Sequence, residues 1–348
     1  LKSLRRCFAL ILISLFASIA QAQTWQRLAL GTNARSYSFP IYANHDLTND
    51  LSHIREIILI IHGVNRNGDD YFAEGQALLK KSGRNASEIL LLAPNFPATQ
   101  DLAKGFDQMP LWGARDWAGG LNAQINSFPL SSFQVLDDLL LKLTENKHFP
   151  NVTTVTLAGH SAGAQLVQRY AVLNQVDELI RARSLDLRYV VANPSSFLYL
   201  STQRPADNSF KDFPAQQCAG FNAYRYGLEG MIDYGQGKSG QELFKRYAYR
   251  NVVYLMGGMD RDPEHKYLDK TCAALAQGPN RLSRAQAYVR YERFLAGRSN
   301  KINHLAYEVV GVGHDQAKMF GSHCGMQVLF QTHPAKGTEA AICQPYLF

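Results

Sequence analysis

The residues in this 348-residue chain that can do chemistry begin with Ser161, in Gly159-His160-Ser161-Ala162-Gly163. A serine hydroxyl is a poor nucleophile near neutral pH and needs a base within hydrogen-bonding reach, itself oriented by an acid. His314, in Val310-Gly311-Val312-Gly313-His314-Asp315, is the best-placed base, on a glycine-rich loop directly after an apolar run. The acid is sought in Gly257-Gly258-Met259-Asp260-Arg261-Asp262-Pro263, where Asp260 is nearer the preceding apolar run and is preferred. Asp262, beside Pro263, suits a turn instead. His62-Gly63-Val64-Asn65 follows another apolar run. Backbone N–H groups there, from Val64 first and Asn65 second, would join that of Ala162 in holding an oxyanion. Trp112 and Trp117 are candidates to line an aromatic or carbohydrate cleft.

These residues need elements that bring them together. Val152 to Ala158 is β-branched and apolar with interspersed threonines, as a mostly buried strand requires. Ala164 to Asn174 places Leu166, Val167, Tyr170, Ala171 and Val172 on a helical repeat. A strand must become a helix within five residues, and Gly159 and Gly163 allow the close approach. Ser161 at the apex fits the G-x-S-x-G elbow in the context it needs. Glu56–His62, Glu88–Pro94, Leu187–Ala192, Asn251–Met256 and His304–Gly311 read as further strands, after an antiparallel edge at residues 25–30 and 36–43. Asp69–Lys81, with Tyr71, Phe72, Ala77, Leu78 and Leu79 inward, and Ser132–Asn146 read as helices. Strands alternating with helices imply an α/β, doubly wound, mostly parallel sheet. Residues 195–250 form an unusually long connection, rich in Phe and Tyr, expected to fold as a cap over the site within one domain spanning 23–348.

Residues 1–22 read as a cleavable export signal. Lys2, Arg5 and Arg6 precede the apolar Cys7–Ala20, and Ala20-Gln21-Ala22 fits a cleavage site. No later run is long and apolar enough to span a bilayer, so the expected location is secreted or periplasmic without stable membrane insertion. Loss of the three charges of Lys2, Arg5 and Arg6 takes the formal +7 to +4. No Lys/Arg-rich run follows, which argues against a nucleic-acid partner. Cys218, Cys272, Cys324 and Cys343 then remain, an even number in an exported chain. The preferred pairing is Cys218–Cys272 and Cys324–Cys343. No clustered His/Cys spacing suggests a metal site, and no organic cofactor is implied.

The order Ser161, Asp260, His314, with His62-Gly63 upstream, resembles the α/β-hydrolase superfamily in its secreted esterase and lipase branch, over roughly Glu56 to Phe320. The HGVN here departs from the glycine-rich HGGG of lipases. The resemblance implies acyl transfer in two steps on small or polymeric esters: Ser161 attacks, His314 moves the proton and Asp260 stabilises the imidazolium. A lipase, a serine peptidase or a silent binding protein on the same fold are the alternatives.

Overall fold

The computed structural model describes residues 25–145, 147–297, 301–332 and 343–346. The expected export signal lies outside the described residues. In chain order the elements are β1 (Gln26–Leu30), β2 (Tyr37–Ala43), β3 (Glu56–Ile61), α1 (Gly68–Ser82), β4 (Ile89–Pro94), α2 (Ser132–Leu143), β5 (Thr154–His160) and α3 (Ala162–Leu173). Then follow α4 (Asp177–Arg181), β6 (Asp186–Ala192), the hairpin β7 (Gln203–Ala206) and β8 (Ser209–Asp212), α5 (Gly240–Tyr247) and β9 (Asn251–Gly257). The chain continues through α6 (Cys272–Leu275), α7 (Arg281–Ala296), β10 (His304–Val309), α8 (Gln316–Gly321), α9 (His323–Phe330) and β11 (Cys343–Pro345).

The main sheet has nine strands in the order β1-β2-β4-β3-β5-β6-β9-β10-β11. β4 through β10 in that order pair in parallel, and β1, β2 and β11 add antiparallel edges. The parallel strands are apolar along their whole length because both faces are covered. In β3, Ile57, Leu59 and Ile61 enter the core shared with α2, α3 and α7, while Ile58 and Ile60 enter the core shared with α1, α8 and α9. The chain winds outward from β3 in both directions, so a crevice opens where the order reverses, beyond the carboxyl ends of β3 and β5. On α1, Gly75 rather than Ala77 faces the sheet; a Cβ there would lie 3.0 Å from Ile60 Cδ1, whereas Ala77 is exposed.

The long connection differs from a simple cap. Three of its aromatic residues pack on α7: Phe197 stacks on Tyr288 at 4.5 Å, Tyr199 meets Tyr291 at 4.5 Å, and Phe210 meets Phe294 at 5.3 Å. It borders the crevice at Ser195 and again around residues 224–226, where Tyr224 donates to the Gly119 carbonyl. Cys218 and Cys272 are disulfide-bonded, with Cα atoms 5.8 Å apart, tying this connection to α6. Cys324 is disulfide-bonded as well; the side chain of Cys343 lies outside the described residues. Among the described residues no helix is long and apolar enough to cross a membrane.

One buried cation fixes the helix that follows Ser161. Arg250, 1% exposed, donates to the Ala171 and Asn174 carbonyls at 2.6 and 2.8 Å, satisfying the C-terminal end of α3, and pairs with Glu178 at 3.1 Å. Replacing it removes the side-chain donor of the Ala171 carbonyl and leaves Arg246 alone on the Asn174 carbonyl and Glu178. Arg250→Met is expected to lower unfolding free energy by about 3 kcal/mol or more, read from urea melts; a loss within experimental error would contradict this role.

Candidate active site

The elbow is enforced by contact. A Cβ on Gly159 would sit 2.3 Å from the Gly163 carbonyl oxygen, and one on Gly163 would sit 2.5 Å from the carbonyl oxygens of both Ile61 and His62. With both positions bare, β5 turns into α3 at Ser161, whose φ of 57° and ψ of −117° are strained for a residue with a side chain. Its amide donates to Ala192 of β6 at 3.0 Å, and its carbonyl accepts from Gln165 at 3.1 Å.

Three distant segments meet at this apex. His314 Nε2 lies 2.9 Å from Ser161 Oγ, and His314 Nδ1 lies 2.8 Å from Asp260 Oδ2. An Nδ1–H donating to the carboxylate leaves Nε2 free to accept the serine proton. Asp262 is not part of this series; its Oδ1 accepts from the Glu264 amide at 2.8 Å and shapes an exposed turn.

Two residues that the sequence reading did not single out hold the series together. Asn193, just beyond β6 with φ 50°, accepts from the Gly257 amide at 2.7 Å and donates to the Gly313 carbonyl at 3.1 Å. It thereby joins the loop bearing Asp260 to the loop bearing His314. Arg281, fully buried at the start of α7, donates to Asp260 Oδ1 at 3.2 Å and to Ser195 Oγ at 2.9 Å. Burial pushes the Asp260 carboxyl upward, but the hydrogen bond and charge of His314 and the charge of Arg281 outweigh it and hold it below its usual range. Burial pulls the His314 imidazole downward; the bond to Asp260 opposes this, and the Arg281 charge adds to the lowering.

The turn after β3 faces the same point. Val64, Ala162 and Ser161 line one cleft with Trp117, Gln165 and Ser195. Ala162 opens α3, where an amide has no intrahelical acceptor. His62 is buried; its Nδ1 donates to the Gly63 carbonyl at 2.9 Å and its Nε2 accepts from the Phe96 amide at 2.9 Å. Burial pulls it down to about 4, so it braces the turn as a neutral ring. Arg66, in the left-handed region at φ 56°, donates to the Val64 carbonyl at 2.9 Å and pairs with buried Asp101. It stands three residues after Gly63, a charged extension of the HGVN string that sequence reading could have weighed.

The two indoles divide. Both are fully buried. Trp117 packs on His62 at 4.5 Å and reaches the cleft wall. Trp112 donates to the Leu121 carbonyl at 3.0 Å and packs between Phe39 and Phe96. Trp112 is thus a core residue, not a cleft residue: the irregular stretch 95–130 needed its own apolar center, and the ring fills it.

No protein-family model matches the chain. No curated protein sequence matches it. Solved structures do. The chain is similar to LpqC, a poly(3-hydroxybutyrate) depolymerase from Bordetella parapertussis, with a TM-score of 0.61 and 21% identity over 91% of this chain and 94% of that one. It is also similar to poly(aspartic acid) hydrolase-1 from Sphingomonas sp. KT-1, with a TM-score of 0.59 and 19% identity over 88% and 98% of the two chains. The chain has the α/β-hydrolase fold.

The electrostatics of His314 can be read directly. In an NMR titration the folded protein should show His314 titrating below 6.5, and Arg281→Gln should move it upward, since the lost guanidinium charge no longer opposes the imidazolium. A wild-type midpoint at or above 6.5, or a downward shift in the variant, would contradict the assignment.

Proposed function

We propose that this chain is a serine hydrolase that cleaves carboxylic esters through an acyl-enzyme on Ser161. One observation carries the reading: the unbroken hydrogen-bond series from Ser161 Oγ through His314 to Asp260, at 2.9 and 2.8 Å. The mechanism follows from the roles these groups can take. Ser161 Oγ attacks the ester carbonyl while His314 Nε2 accepts its proton. Asp260, charged and itself held by Arg281, stabilises the imidazolium. The oxyanion is received by the Val64 and Ala162 amides, each such donor contributing on the order of 3 kcal/mol to lowering the barrier. His314 then protonates the leaving alcohol, water attacks the acyl carbon, and the same groups run in reverse.

The lowered affinity of His314 for protons supports the base role, because the neutral ring persists into mildly acidic solution. The turn built by His62, Arg66 and Asp101 supports the oxyanion role, since it is fixed before substrate arrives. Substrates extend to polymeric esters in this proposal, as the name of the Bordetella neighbour suggests. A disulfide in a fold without a membrane-crossing helix among the described residues supports a location outside the cytosol, in keeping with the export signal read at residues 1–22.

Hydrolysis of p-nitrophenyl acetate and butyrate tests this. Wild type is expected to turn over both, Ser161→Ala to fall to background, and Asp260→Asn to lose roughly 10³–10⁴-fold in kcat. Asp262→Asn is expected to stay within about threefold of wild type, since its carboxylate serves only an exposed turn. Equal rates for wild type and Ser161→Ala would end the proposal.

A further inference from the structure

The walls of the cleft carry a charge that the ester chemistry does not use. Arg115 and Arg225 line it beside Ser161, and Asp269 is the one carboxylate among the lining residues. We propose that the cleft selects esters that bear a carboxylate close to the scissile bond, with Arg115 and Arg225 as its receptors. The inference rests on the serine-esterase reading above and names the class of ester.

Arg115 is exposed, and among the described residues its side chain makes no hydrogen bond and no ion pair. Arg225 is half-buried and spends one N–H on the Arg115 carbonyl at 3.2 Å. A guanidinium carries five N–H donors, so most of its fork is left for a ligand. Asp269 offsets only part of that charge: against burial, Tyr226 and Thr271, and after them the Arg225 charge, hold its carboxyl below its usual range. Its carboxylate accepts from Tyr226 Oη at 2.7 Å and from Thr271 at 2.8 Å (Oγ1) and 3.1 Å (amide). Among the described residues no arginine forms an ion pair with it. The lining therefore has two cations against one carboxylate that is already occupied.

The backbone that carries the two arginines is held in place. The fully buried Arg169 donates to the Ala118 carbonyl at 2.8 Å and to the Arg225 carbonyl at 3.3 Å, joining the walls that bear Arg115 and Arg225. Tyr224 adds its bond to the Gly119 carbonyl. A third guanidinium thus lies buried behind the wall that carries Arg115 and Arg225. Burial, and after it the Arg225 charge, pull Arg169 down to about 10. An anion lodged between Arg115 and Arg225 would relieve that repulsion. Planar guanidinium forks match a carboxylate in two parallel hydrogen bonds, and the walls around them concentrate the field.

The test compares matched esters on the intact protein. One pair carries the charge on the acyl side, 4-nitrophenyl hydrogen glutarate against 4-nitrophenyl valerate. The other carries it on the alcohol side, 4-acetoxybenzoate against its methyl ester. Wild type is expected to prefer the charged member of at least one pair by about tenfold or more in kcat/KM, with the preference shrinking as salt rises. Arg225→Gln and Arg115→Gln should each cut that ratio by about fivefold or more, and the double variant should abolish it. Ratios near or below one for both pairs, with the neutral esters hydrolysed, would overturn the carboxylate inference and leave the esterase reading standing. A preference that survives the double variant would also overturn it. No hydrolysis of any of the four esters, with no reaction of Ser161 toward a fluorophosphonate, would overturn both readings.

Discussion

The close approach of α3 to the ends of β3 and β5 is the constraint on which the rest of this molecule depends. Two bare glycines let carbonyl oxygens of the facing backbone come within 2.5 Å of where a Cβ would stand. That contact forces the backbone of Ser161 into a conformation costing about 1–3 kcal/mol, which a loop alone would not sustain. The surrounding sheet supplies the restraint. β5 is hydrogen-bonded on both edges by parallel neighbours, the Ser161 amide is held by Ala192, and Arg250 secures the far end of α3.

From that fixed apex the remaining geometry follows by neighbourhood. β3 is the strand on one side of β5, so its turn faces the serine directly. β6 lies on the other side, and β9 and β10 beyond it must send long loops back across its end. Asn193 stands at that end, and its side-chain amide ties the two returning loops to each other. Arg281 closes the arrangement from behind by keeping a buried carboxylate in its charged form. Burying Asp260 without a second cation would raise its proton affinity and weaken its hold on the imidazole.

Much of this could be read from residue order. The strands declared themselves because apolar runs such as EIILII suit only positions covered on both faces, and Gly159 and Gly163 were legible because no other residue fits such an approach. The order Ser161, Asp260, His314 pointed to three loops on one rim. What stayed hidden was whatever depends on contacts across the fold. Nothing in the sequence marks Asn193 or Arg281 as a tie between loops that meet only in the fold. Trp112 and Trp117 are alike in sequence, yet only the path of residues 95–130 puts one in the core and the other at the cleft wall. The aromatic run of 195–250 suggested a cover for the site; that Phe197, Tyr199 and Phe210 pack on α7 stayed hidden because α7 lies more than fifty residues beyond them and carries no strongly one-sided apolar pattern.

The central claim is that the hydroxyl of Ser161 is activated by the imidazole it touches. The most direct measurement is intact-protein mass spectrometry after treatment with a fluorophosphonate, followed by peptide mapping, on wild type and on a folded His314→Gln variant. The account predicts a single adduct on wild-type protein, mapped to Ser161, and labelling slowed by at least about a hundredfold in the variant. Folded wild-type protein that takes up no label, or takes it up at another residue, would contradict it.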